Sequence, residues 1–187
     1  MDHKTKNIII VSGVITLIIS LLIFLYYFSP EEIVSKIGVN NSYLILFFIS
    51  FFGGFSAFGA FSFFATIITF VTGGLNPLYV GLIAGASLAT GDLIMFFLGI
   101  KGREAIKGKL KVRLDKLSKK VTTKTEKFIP FIIFIYIGLV PLPNDILILF
   151  LAMIKYKPKK VIIPLILGDF AFTLLLSFLS FKGISLF

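Results

Sequence analysis

Cysteine is absent from these 187 residues, and histidine occurs once, at His3. Disulfides and thiol chemistry are thereby excluded, and the redox state of the compartment leaves no trace. With the single imidazole in the N-terminal tail, neither a His/Cys metal centre nor a His-based triad can be assembled deeper in the chain. No cofactor or metal is expected. Acids are scarce as well: nine Asp and Glu stand against 19 Lys and Arg, for a net charge of +10.

Apolar residues fill the space that charge leaves. They make up 57% of the chain, with a mean hydropathy of +1.02. Soluble domains hold about 45–50%, so the composition predicts an integral membrane protein. The charge is unevenly spread, with eleven basic residues between Lys101 and Lys127 against Glu104, Asp115 and Glu126. Beside membrane spans, such a cluster marks a cytoplasmic face meeting anionic lipid headgroups rather than a nucleic-acid surface.

Residues 7–28, "NIIIVSGVITLIISLLIFLYYF", are long enough to span, since about 20 residues cross a bilayer core. Without a small-residue cleavage site, the run predicts a retained anchor helix. Lys4 and Lys6 before it, and Glu31 and Glu32 after it, place the N-terminus in the cytoplasm and residues 29–41 outside. Residues 42–72 are too long for one span and too short for two, and Gly53, Gly54 and Gly59 interrupt them. A re-entrant hairpin opening outward fits that length, and "GGLNP" then turns the chain. Residues 78–100 span inward. In residues 101–127 the apolar positions Ile106, Leu110, Leu114, Leu117 and Val121 follow helical spacing, which predicts a basic amphipathic helix on the inner surface. Residues 128–154 are broken by "PLPND" and flanked by lysines at both ends. Proline cannot continue a helix, and basic flanks at both ends want the same side. This predicts a second hairpin, opening inward. Residues 161–181 cross back, leaving the C-terminus outside.

The expected fold is therefore all-α, a single multi-pass domain of the cell membrane. A hairpin followed by a span occurs twice in opposite orientation. Each predicted span carries a Gly-Asp pair, Gly91-Asp92 and Gly168-Asp169. Inverted repeats with broken helices are the usual architecture of secondary transporters, and non-helical backbone at membrane depth survives only where protein covers it or water reaches it. On this reading Pro141 and Pro143 end one half-helix, and Asn144 caps the next.

An acid near a bilayer centre costs about 2.5–3.5 kcal/mol on the insertion scale, so Asp92, Asp145 and Asp169 are candidate transport or proton sites, together with Asn144. Each has a structural alternative. Asp145 begins a helix, where the macrodipole favours a carboxylate; Asp92 and Asp169 would instead bond backbone left unpaired at a break. Gly81, Gly85, Ala89 and Asp92 share one helix face, so the small residues that admit a neighbouring helix would also present the acid. Ser62, Thr66 and Thr69 form a hydroxyl stripe whose simplest role is bonding back to their own helix. Lys101, Arg103, Lys155 and Lys157 stand where the inner mouth would attract headgroups.

The segment "GGLNPLYVGLIAGASLATGDLIMFFLGIKGRE", with Gly91, Asp92, Gly99, Lys101, Gly102 and Arg103, and the later "VPLPND" hairpin resemble the DedA/VTT family of polytopic membrane proteins, over roughly residues 40–182. The resemblance implies two opposed re-entrant loops and movement of phospholipids or polyprenyl phosphates between leaflets, in some members coupled to protons. The chain departs from that pattern in its first hairpin, "GAFSFFATIITF", which has neither Pro nor Glu. It departs again around the second proline motif, where Tyr136, Ile137 and Asn144 stand in place of arginines. Two other readings compete with a non-enzymatic lipid translocator: a scaffold or assembly protein, and an intramembrane aspartyl hydrolase using paired carboxylates. The expected partners are membrane lipids, with self-association left open.

Overall fold

The computed structural model describes residues 29–53, 57–124, 127–140 and 144–184. The predicted anchor at 7–28 lies outside them, as do Gly54, Pro141 and Pro143. Helices occupy nearly all the described residues, with no strand among them. They are α1 (Pro30–Ile37), α2 (Val39–Gly53), α3 (Ala57–Thr72), α4 (Pro77–Ala105), α5 (Gly108–Lys124), α6 (Ile129–Leu139), α7 (Asn144–Met153) and α8 (Pro158–Ile184).

Two of these, α4 and α8, are long and apolar enough to cross a membrane, and the bent pair α1–α2 makes a third if counted as one span. At 1.5 Å per residue, α4 reaches about 43 Å. Large apolar side chains line the outside of both long helices, among them Leu98, Phe97, Ile163, Leu167 and Leu179. An exposed apolar surface of that extent needs lipid around it.

Local sequence explains where the helices start and stop. Ser29 Oγ accepts from the Glu32 amide at 3.2 Å, and Pro30 occupies the first turn, where its missing N–H is harmless. Residues 30–37, expected as a connecting segment, are therefore helical; the Ser-x-x-Glu spacing is the signal for it. Gly38, at φ +84°, carries the 103° bend into α2. Asn76 Oδ1 accepts from the Leu78 amide at 2.9 Å to cap α4, with Pro77 next. Helices α3 and α7 end alike. Gly74 N donates to Val71 O and Leu75 N to Phe70 O; Lys155 N donates to Ala152 O and Tyr156 N to Leu151 O. In each pair one residue adopts positive φ (Gly74 at 92°, Lys155 at 53°), a buried apolar residue follows, and a proline opens the next long helix two residues later.

Glycines set how the long helices cross. A Cβ at Gly81 would lie 3.0 Å from Leu174 Cα, and one at Gly85 would lie 2.8 Å from Thr173 Oγ1 and 2.9 Å from Phe170 Cδ1. Position rises along α4 as it falls along α8, so the two run antiparallel. Thr173 Oγ1 donates to Gly81 O across the crossing at 2.9 Å. Such interhelical bonds are worth about 0.6 kcal/mol on average in membranes, so the close glycine packing carries more of the contact.

Two apolar cores flank the crossing. One gathers Leu46, Phe63, Ile67, Phe70 and Leu75 from the first half of the chain around Val80, Ala84 and Leu88 of α4. The other gathers Ile129, Ile133, Ile148 and Leu151 around Ala89, Phe96, Val161 and Leu165. Phe172 of α8 ties in the first core, its ring stacked on Phe63 at 6.3 Å and edge-on to Phe64 at 5.6 Å. Helix α7 lies along the last half of α4, with Ala152 against Gly99, and α6 lies on the first half of α8, with Ile137 and Gly138 against Gly168.

Some expected boundaries move. Gly59, expected at an interruption, sits inside α3, whereas Gly53 is the last residue of α2. The inner surface helix starts at Gly108, not Lys101, because α4 continues to Ala105. Arg103 explains the extension. Rather than facing headgroups at an inner mouth, it is 3% exposed; its Nε donates to Met153 O at 2.8 Å, and its Nη2 bonds Lys111 O at 3.3 Å and Asp115 at 2.5 Å. It fastens the end of α7 and the start of α5 to α4. Arg103→Ala should therefore lower stability by about 2–4 kcal/mol, since the partly buried Met153 carbonyl loses its donor and α5 its attachment to α4. Asp115→Ala, removing a carboxylate that is 55% exposed, should cost about 1 kcal/mol or less. Thermal unfolding followed by helical circular dichroism compares the two.

Candidate functional site: a buried aspartate pair

Near the middle of α4 and of α8, Asp92 and Asp169 are both fully buried. Each follows the glycine of its Gly-Asp pair, and both glycines, Gly91 and Gly168, are buried too. Gly168 is needed for contact, because a Cβ there would come within 2.9 Å of the Ile137 side chain. Without that approach the end of α6 would not reach the level of Asp169.

A third residue closes the site. Asn144 is the first residue of α7 rather than the residue before it. Its Nδ2 donates to Asp92 Oδ2 at 3.2 Å and to Asp169 Oδ1 at 3.4 Å. One amide nitrogen thus bridges two carboxylates from different long helices. Both bonds are longer than the usual 2.9–3.0 Å. The remaining oxygens, Asp92 Oδ1 and Asp169 Oδ2, are buried without a hydrogen-bond partner among the described residues. Arg103 pairs with Asp115, away from the aspartate pair.

Asp145 follows Asn144 in the first turn of α7, the position the helix dipole favours for an acid. It is half-buried, and its Oδ1 also has no partner. It makes no hydrogen bond to the pair. The lysines expected to attract headgroups, Lys101, Lys155 and Lys157, are exposed at the ends of α4 and α7. In the first half of the chain Thr66 Oγ1 donates to Ser62 O at 2.7 Å, the self-satisfied role expected for that stripe.

Several buried hydroxyls escape a reading by motif. Thr173 and Ser177 follow Asp169 at four-residue steps, so all three share one face of α8, and all are fully buried. That spacing is visible in "GDFAFTLLLSF", and it was the available signal. Ser87 Oγ donates to Phe47 O, tying α2 to α4, whereas Ser50 Oγ and Ser177 Oγ have no partner among the described residues. A separate groove of about 240 Å³ on α2 and α3, lined by Phe48, Ile49, Phe52 and Ser62, shares none of these residues.

Chemically, the amide nitrogen spends both hydrogens on the carboxylates and leaves two oxygens that, when the acids are ionised, can only accept. It also occupies the place between the acids where a hydrolase would hold its attacking water. Among the described residues no three His, Cys, Asp or Glu side chains converge as a polyvalent metal centre would require. Comparison with models of known protein families, with curated proteins and with solved structures finds no match to this chain.

Proposed function

We propose that this protein is a membrane lipid translocator, moving a phospholipid or polyprenyl phosphate between leaflets. The observation that carries the reading is the buried Asp92–Asn144–Asp169 cluster, standing at the break between two short apolar helices. Charge at that depth is costly and marks a transport path or proton relay.

In this reading α2–α3 and α6–α7 are re-entrant hairpins, each followed by a full span, and the two units are inverted relative to each other. The matching caps after α3 and α7 support it, as do the antiparallel run of α4 and α8 and the two Gly-Asp pairs. The contacts of α6–α7 support it further, because Gly138 and Asn144 lie at the level of the aspartates while Met153 reaches the end of α4. A polar headgroup passes the hairpin contact while its acyl chains stay in the bilayer. Lys101, Lys155 and Lys157 gather anionic headgroups at the inner end, a task that Arg103 does not share.

The resemblance to the DedA/VTT motifs points to the same substrate class. The side-chain amide bridge at Asn144, in place of arginines, favours an uncoordinated headgroup passing the site over one held tightly by its phosphate. Between a translocator and an aspartyl hydrolase, the nitrogen seated between the two acids favours the former.

Reconstitution into liposomes tests the function. Purified protein should speed the leaflet exchange of at least one labelled phospholipid or polyprenyl phosphate, and runs with and without a pH gradient report whether protons are coupled. No acceleration with any headgroup would leave the scaffold reading standing. The absence of native cysteine makes the topology testable in the same preparation. Single cysteines at the exposed Asn40 and Leu78 should label from one side of the membrane, and those at Lys127 and Lys155 from the other.

A further inference from the structure

We propose that Asp92, Asn144 and Asp169 form a binding site for a small monovalent metal cation, with sodium as the probe. The inference shares its residues with the translocator reading but does not depend on lipid movement.

Its first support is the unused bonding capacity. Two carboxylates, each fully buried, present one oxygen each without a partner among the described residues. Covalent geometry fixes those oxygens beside the ones that Asn144 holds, so both lie at the cluster. While ionised they can only accept, and the neighbouring amide cannot supply a third hydrogen. The missing group is therefore a donor or a cation.

Charge is the second support. Arg103, buried at the end of α4, is spent on Asp115 rather than on the aspartate pair. The C-terminal end of α6 comes close as well: Gly138 packs on Gly168, the neighbour of Asp169. A helix C-terminus carries negative partial charge, which favours a cation and offsets the positive partial charge of the α7 N-terminus at Asn144. Ends of broken helices beside carboxylates are a general means of coordinating monovalent ions within membranes.

The third support is adaptability. Turning the Asn144 amide about its terminal bond exchanges nitrogen and oxygen, so two N–H donors give way to one carbonyl acceptor. In that state carboxylate and carbonyl oxygens alone face the ion, the hard ligands that such cations prefer. The 3.2 and 3.4 Å bonds that must be given up are long ones. Thr173 and Ser177, on the same face of α8 as Asp169, extend hydroxyls from the site toward the far end of the helix.

Equilibrium binding of radioactive sodium to the full-length protein in detergent tests this, with choline maintaining ionic strength. The expected result is about one ion per chain, with affinity reduced at least tenfold in Asp92→Asn and in Asp169→Asn. Binding should be unchanged in Glu104→Gln, whose side chain is exposed at the end of α4. A second measurement needs no variant: replacing choline by sodium should raise the unfolding temperature of the unsubstituted protein by several degrees, because an ion that binds only the folded state stabilises it. Absence of bound sodium, retention of binding in both Asp variants, or identical unfolding in sodium and choline would each overturn the site. Lipid exchange without sodium binding would sink the ion site alone, and sodium binding without exchange would sink the translocator alone.

Discussion

The double variant Asp92→Asn, Asp169→Asn is expected to unfold at a higher temperature than the unsubstituted protein in sodium-free buffer, while losing lipid exchange by at least about tenfold. Each carboxylate sits where a charge costs about 2.5–3.5 kcal/mol on the insertion scale. An asparagine has nearly the same shape, and its carbonyl can still accept from Asn144 Nδ2, so the two bonds at 3.2 and 3.4 Å can persist. Against this gain stands the new NH2 group at each position, which costs about 1–3 kcal/mol if it finds no acceptor. The acids next to it are gone, and the net change is a stabilisation of about 1–3 kcal/mol. Circular dichroism on heating and the liposome exchange assay read the two effects on one preparation. Were the aspartates purely structural, bonding backbone that would otherwise be unpaired, stability would fall instead and exchange would survive in the molecules that fold. A gain in stability with a loss of function is the signature of groups kept for what they do.

Gly81→Leu with Gly85→Leu should have the largest effect on folding. At Gly81 the nearest obstacle includes Leu174 Cα, which is backbone and cannot rotate away; at Gly85, Phe170 Cα lies 3.2 Å from where a Cβ would stand. Whole leucine side chains must therefore push α4 and α8 apart. That breaks the Thr173–Gly81 hydrogen bond and opens the cores on either side of the crossing. Overpacking by a few methylenes costs about 1–3 kcal/mol per site, so the pair should lose about 3 kcal/mol or more and most of the folded yield. Gly102→Leu is the matched control, since nothing lies within 4 Å of its would-be Cβ. Size-exclusion profiles of the detergent-extracted protein separate the outcomes. Equal behaviour of the two would mean that the glycine face is not the contact between the long helices.

Much of the architecture was legible in the order of residues because the relevant signals are local. Run length and hydropathy separate α4 and α8 from the shorter helices. Helix α6 ends at Leu139, shortly before the prolines of "PLPND", and α2 ends at Gly53, as residues that lack an N–H or a restraining side chain predict. Ser29, Pro30, Asn76 and Pro77 fix helix starts through bonds spanning two or three residues. Spacing of Gly-Asp pairs singled out the acids. Even so, the local signal misled at Gly59, which lies within α3.

What the order of residues could not give is which of these features meet. Asn144 stands 52 positions from Asp92 and 25 from Asp169, yet one of its atoms bonds both. That meeting requires α4 to set its glycine face against Phe170, Thr173 and Leu174 of α8 and α6 to seat against Gly168, and no local rule specifies either. Arg103 shows the same limit in reverse. Its position at the end of a long apolar helix reads as a surface charge, but folding the ends of α7 and α5 beside it turns it inward. Hydropathy, caps and breakers act within a turn or two of helix, so composition and order determined the elements. Close packing acts between elements, so only the folded chain decided that two distant acids share a single amide.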